Sequence, residues 1–325
     1  MSEQPFRAPL SRGAALSLTS KLAAAAGAAT SLGLPVTPVP AAAARLTEPK
    51  PFWTETTNAI ERIIGAQGMS SSGVFSIEID RNDIREANIH GVPVLPAFEL
   101  NGTLFFQNLG GGSAIMNSDM ALKATEINRF IDQLIAHDIV FQAEHQHFYD
   151  LQPLVWFIHF RAVGDPLHIA RGVKAALNVT STPFPQTMPK NPTTPLPAQA
   201  LGNIFGQTPS IGSNGVVTID VPRADKLVLG GVAINPHLNV ATSIGFQPFG
   251  GGRNAAVAPD FALVGSEVNK VVGYMRARGW DIGCLYNQET DESPQLYFSH
   301  QFKTGDSLVL AREIRAALEY THSQL

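Results

Sequence analysis

Three of the nine histidines in this 325-residue chain crowd into one short stretch, and imidazole is the side chain whose chemistry there is easiest to name. His145 and His147 stand in Glu144-His145-Gln146-His147, and His159 follows in Pro153-Leu154-Val155-Trp156-Phe157-Ile158-His159-Phe160. Neutral imidazole is the commonest metal ligand in proteins. Two apolar, β-branched runs, from Ile139 into His145 and from Leu154 to Phe160, predict a β-hairpin turning through Tyr149 to Pro153. Residues two apart on a strand share a face, so His145 and His147 project together. An even register, for example Ala143 opposite His159, brings His159 to that face, and a one-residue slip turns it away. Three imidazoles so placed make an open site for a divalent transition metal, with zinc first and copper or iron as alternatives.

The carboxylates nearest in sequence to this group are Glu126, Glu144 and Asp165. Glu144 has the wrong alternation to share the His145 face. Asp165, followed by Pro166, has the pattern of a helix N-cap. Glu126 recurs in a second part of the chain that lacks the His-x-His pair, which argues for a structural role. If a metal-bound water is the reactive group, Glu126 or Glu144 is the candidate general base. Against the whole metal reading stands a plainer one, in which His145 and His147 lie on a solvated face and His159 is a hydrogen-bonded core histidine.

The elements that must hold these residues occur twice. Ser118-Asp119-Met120-Ala121-Leu122-Lys123-Ala124-Thr125-Glu126-Ile127-Asn128 matches Pro259-Asp260-Phe261-Ala262-Leu263-Val264-Gly265-Ser266-Glu267-Val268-Asn269. Pro153 falls on Pro294, His159 on His300, and Gly164-Asp165 on Gly305-Asp306. Upstream, Gly110-Gly111-Gly112 matches Gly250-Gly251-Gly252, and Arg81 with Asp83 matches Arg223 with Asp225. A period of about 140 residues is too long for a solenoid and means two homologous domains. Each copy predicts strands first (Val74 to Ile79, Gly91 to Val94, Thr103 to Gln107, Ser113 to Leu122), then a helix from Thr125 to Ala136, the hairpin, and a helix from Pro166 to Leu177. The expected class is α+β, two domains that each pack helices on one face of an antiparallel sheet. The boundaries are 55–180 and 205–322. Between them, residues 181–204 hold Pro183, Pro185, Pro189, Pro192, Pro195 and Pro197, the composition of a stiff extended linker.

Residues 1–45 have the layout of an export signal. Arg7, Arg12 and Lys21 precede an apolar run from Leu22 to Leu34, and Ala41-Ala42-Ala43-Ala44 offers a cleavage site. The run is shorter than the roughly 20 residues of a membrane-spanning helix. Ser11-Arg12-Gly13 departs from a twin-arginine pattern at Gly13. This layout predicts a periplasmic or secreted protein; a disordered Ala/Pro-rich leader is the other reading. The net charge of −4 and the absence of basic blocks argue against nucleic acid. A single cysteine, Cys284, excludes an internal disulfide and a cysteine-based zinc site. The glycine triplets lack the Lys-Ser/Thr of a phosphate loop and predict turns. No Gly-x-Ser-x-Gly elbow marks a serine hydrolase.

The run from Glu126-Ile127-Asn128 through Glu144 to His147, His159-Phe160 and Gly164-Asp165 resembles the LppY/LpqO lipoprotein family, bacterial proteins built on a domain of unknown function that is often tandem. The resemblance spans about residues 60 to 178 and 205 to 320, and implies a bacterial, often exported protein with no assigned reaction. The second copy departs from the pattern, with Tyr286 and Gln288 in the places of His145 and His147. Three functions remain open: an exported metal- or small-ligand-binding protein, a metal-dependent hydrolase or lyase, and a structural protein whose two domains bury a shared surface.

Overall fold

The structure is a computed structural model and describes residues 54–325. The export-signal reading of residues 1–45 lies outside the described residues. In the first copy the chain runs α1 (Thr54–Ile64), β1 (Met69–Ser71), β2 (Val74–Asp80), β3 (Asn101–Gly110), β4 (Ser113–Leu122), α2 (Ile127–Ala136), β5 (Val140–His145), β6 (Trp156–Gly164) and α3 (Pro166–Leu177). In the second it runs α4 (Ala198–Phe205), β7 (Ser210–Ile211), β8 (Val217–Val221), β9 (Thr242–Pro248), β10 (Asn254–Val264), α5 (Gly265–Arg276), β11 (Asp281–Ile282), β12 (Leu296–Asp306) and α6 (Ser307–Leu318). Each copy makes a six-stranded antiparallel sheet, in the order β1-β2-β3-β4-β6-β5 and, equivalently, β7-β8-β9-β10-β12-β11.

Alternation along the strands sends the larger apolar set to the helices. In β4, Met116, Met120 and Leu122 meet Phe130 and Leu134 of α2 and Ile169 and Val173 of α3. In β10, Val257, Phe261 and Leu263 meet Val271 and Met275 of α5 and Ile314 of α6. Asp165 caps α3 by accepting from His168 N at 2.6 Å, and Asp306 caps α6 by accepting from Leu308 N and Val309 N. The glycine triplets sit at the β3–β4 and β9–β10 turns, with positive φ at all three positions in each. Besides the short helix Pro96–Glu99, two longer helices were not anticipated. α1 begins the first copy, and α4 follows Pro197 inside the segment that composition marks as linker. In α1 the signal was present, since Ile60 and Ile64, four apart, are its buried residues.

The other faces of the two sheets pack against each other. Phe98, Phe148 and Phe157 of the first copy share one apolar cluster with Val216, Ala256, Ala258 and Phe302 of the second. Val74 and Ile115 share another with Leu227, Leu296 and Phe298. Reciprocal clasps fix the pairing. Gln107 donates to Ala233 O at 3.3 Å and accepts from Asn235 N at 2.7 Å. Gln247, its counterpart, donates to Pro93 O at 2.6 Å and accepts from Leu95 N at 2.8 Å. The two bonds of each clasp are the same bonds with the copies exchanged, so the repeats are related by an internal two-fold. Helix, sheet, sheet and helix form four layers, and the face-to-face sheets place the histidines in the middle.

Candidate metal centre

Ala143 stands opposite His159 in the β5–β6 pairing, and His145 stands opposite Phe157. His145 and His159 therefore share the face turned toward the second copy. Their Nε2 atoms are 2.9 Å apart and share one hydrogen, which requires opposite tautomers. His147 lies just past the end of β5 and reaches further. Its ring stacks on Phe157 at 3.3 Å between centroids and on His300 of the second copy at 3.5 Å. Its Nδ1 shares a 2.8 Å hydrogen bond with Glu99, which closes the short helix Pro96–Glu99. The hairpin thus splits the three histidines. His145 and His159 pair with each other, while His147 joins Glu99 and His300.

Glu99, His147 and His300 each bring a ligand atom within 4.8 Å of the other two. All three are buried, at 7%, 6% and 4% of full exposure, and Nε2 of His147 has no hydrogen-bond partner. Burial holds all four imidazoles in the neutral form that ligates metals. It lowers His145 to about 3, and lowers His147, His159 and His300 well below the usual range, with the neighbouring rings adding to the effect for those three. Burial also raises Glu99, helped by the nearby Asp260 and Asp119. The Glu99–His147 contact is spaced like an ion pair, but burial disfavours the charge on both partners. A cation placed among the three would supply the charge that ionises Glu99.

Each histidine of the strand pair has an acid beside it. Asp119 stands opposite His159 in the β4–β6 pairing, and Asp260 opposite His300 in β10–β12. The next positions across the sheets continue both rows. Thr103 N donates to Asp119, and Glu78 is paired with Thr103; Ser243 is paired with Asp260, and Asp220 with Ser243. The row acid, hydroxyl, acid, imidazole is thus written once in each copy, facing the gap between the sheets. Burial pushes Asp119 up to about 6 and raises Asp260 well above the usual range. The gap opens into a cavity of about 650 Å³ lined by both rows up to Asp119 and Asp260, and by Glu99, His147 and His300.

The second copy fills its side of the centre with other residues. Tyr286, in the place of His145, stacks on His145 itself at 3.5 Å. Gln288, in the place of His147, donates to Asn239 O, as His147 meets Glu99. Cys284 lies 3.3 Å from His300 Nδ1, and burial pushes its thiol well up, so it is not a ready thiolate.

Glu126 and Glu144 are placed elsewhere. Glu126 is buried against Arg81 at 2.8 Å and accepts from Lys123 N and Ser181 N. Glu267 repeats this with Arg223 at 2.7 Å, Val264 N and His322 N. Glu144 is exposed on β5 opposite Ile158, a residue of the helix-side core. None of the hydrogen bonds of Glu126 goes to a histidine of the centre. Sequence reasoning missed Glu99, Asp119 and Asp260, and took His300 for a residue without ligating company. Asp119 and Asp260 left a signal, an acid kept at the same position of the strand in both copies. Glu99 left none, because Asn239 occupies its place in the second copy.

The family model described as Domain of Unknown Function (DUF1259) matches the chain twice, at residues 58–179 and 199–320. No curated protein matches it. Among solved structures it is similar to EtuB from Clostridium kluyveri at 11% identity, over 79% of this chain and 90% of that one, with a TM-score of 0.19, a likeness that carries no argument.

Proposed function

This chain belongs to the DUF1259 family as a tandem pair, and on that footing we propose that it is an exported metal-binding protein whose site lies between its two repeats. The convergence of Glu99, His147 and His300 carries the reading: three buried ligand atoms lie within 4.8 Å, two from one copy and one from the other. Two imidazoles and one carboxylate suit zinc, and the same set suits ferrous iron. Zinc is our first choice and iron or copper the alternatives. His145 and His159 stand against the centre as a hydrogen-bonded pair that fixes the neighbouring rings. The resemblance of the His-x-His stretch to the LppY/LpqO lipoproteins and the layout of residues 1–45 support export to the periplasm or beyond.

One observation favours a second reading, a metal-dependent hydrolase or lyase. Three protein ligands leave a tetrahedral position for water, and the cluster faces a cavity large enough for a small substrate. In that reading Asp119 or Asp260 is better placed as general base than Glu126 or Glu144, since each stands directly opposite a histidine and lines the cavity.

Elemental mass spectrometry on untagged protein tests the metal reading. About one equivalent of zinc or iron is expected, lost on dialysis against a strong chelator and restored by the metal alone. Export is tested by fractionating cells that express the full chain: a shortened protein outside the cytoplasm supports it, and an uncut cytoplasmic chain contradicts it.

A further inference from the structure

The cavity holds more acid than the metal cluster uses. Six carboxyl groups line it, and among the described residues no lysine or arginine does; its only bases are imidazoles. At the end of each cross-strand row stand Glu78 and Asp220, both exposed to the cavity, each paired with a hydroxyl residue, Thr103 or Ser243. Asp80 lies two residues beyond Glu78 on the same face, and its carboxyl hydrogen-bonds to Glu78 and Ser213, so the two acids stand as a close pair. The guanidinium of Arg81, next to Asp80 in sequence, is engaged in its own pairs with Asp83 and Glu126. His147, which is more than nine-tenths buried and whose Nε2 has no hydrogen-bond partner, also lines this space.

We propose that this cavity binds an aliphatic diamine or polyamine, with Glu78, Asp80 and Asp220 receiving its ammonium groups. Like charges gathered in one concave, low-dielectric site focus a field that attracts the opposite charge and excludes anions. A single metal ion does not answer these acids. Among the described residues, Glu99, His147 and His300 are the group whose ligand atoms converge on one point, and Glu78, Asp80 and Asp220 do not join them. Acids spread along two rows suit a ligand whose charges are spread along a chain. The interposed hydroxyls of Thr103 and Ser243 can accept the remaining N–H groups, and 650 Å³ is the volume of a small-molecule site rather than of an ion. The acids invoked are not those of the metal cluster, so the amine site stands or falls separately from the metal.

Isothermal titration calorimetry on the full chain, with putrescine and spermidine as probes, is the test. Glucose, calcium chloride and sodium phosphate are run beside them, and metal content is measured on the same samples. Saturable binding of at least one amine is expected, weakening steadily with added sodium chloride. It should fall about tenfold or more for each of Glu78→Gln and Asp220→Asn, since each removes a charged hydrogen-bond partner. The salt series needs no variant and stands even if a substitution impairs folding. No binding by either amine, undiminished binding in the double variant, or a neutral sugar or calcium binding in preference to both amines overturns the proposal. Amine binding in protein that takes up no metal would uphold this site and sink the metal reading, and the converse result would do the reverse.

Discussion

His147 of the first repeat lies face to face with His300 of the second, ring centroids 3.5 Å apart and 20° from parallel. Neither repeat supplies the Glu99–His147–His300 cluster alone. The second copy lacks the His-x-His pair, yet its strand histidine completes the cluster that the first copy begins, and the proposed metal would be shared between them.

Removing that histidine should cost as much as removing its partner. His300→Ala and His147→Ala are each expected to lower metal affinity by about a hundredfold or more, because each deletes one of three protein ligands. Competition with a fluorescent chelator reads this directly. A His300→Ala protein that keeps wild-type affinity would place the metal on the first repeat alone.

Gly283 makes a second, steric prediction. A Cβ there would lie 2.2 Å from His147 O and 2.7 Å from Phe148 Cδ1. The second repeat leaves out a side chain so that the His147 segment of the first can pass. Gly283→Ala should displace that segment, reducing bound metal while the helix-side cores, which it does not touch, keep the fold. Far-ultraviolet circular dichroism and metal content on one sample separate the two effects.

Glu126 was a candidate base on sequence grounds, and its surroundings predict a different loss. Glu126→Ala removes one of the two acids paired with the buried Arg81 and leaves Asp83, so unfolding free energy should drop by about 1.5–3 kcal/mol. Metal stoichiometry at low temperature should be unchanged. Retained stability with lost metal would return Glu126 to the site.

Glu289 bridges the copies, accepting from Asn117 Nδ2 at 2.6 Å, and burial raises its carboxyl to about 8. An acid whose pKa is higher folded than unfolded binds its proton more tightly in the native state. Its contribution is therefore complete below about 4.5 and lost as pH rises toward about 8. Unfolding measured by denaturant across that window should show stability declining with pH, and Glu289→Gln should flatten the decline. An identical slope in the variant would assign the pH dependence to other groups.

Much of this was legible in the chain. The strand from Ser113 to Leu122 and the caps at Asp165 and Asp306 follow from local pattern, because alternation and capping are short-range chemistry, and the duplication follows from self-similarity; the hairpin register was left open between even and odd, and the structure has the even one. The helix Ala198–Phe205 was hidden by the prolines that precede it, whose composition reads as an extended linker. The centre was only half legible, since its defining contact joins residues 147 and 300, and no local pattern tells which faces of two repeats meet. The acids of the cross-strand rows were readable in principle. Asp119 matches Asp260 in the repeat alignment, and Glu78 and Asp220 stand on the same alternation in equivalent strands. Glu99 was beyond reach, because it meets His147 across 48 residues of chain and has no acidic twin.

The proposed metal is one ion shared between the repeats. Elemental mass spectrometry of the untagged full chain, beside His147→Ala and His300→Ala purified identically, tests it most directly. The account predicts close to one equivalent of zinc or iron in the parent protein and almost none in either variant, with all three folded. Folded proteins that all lack metal, even after incubation with zinc and with ferrous iron, would contradict it.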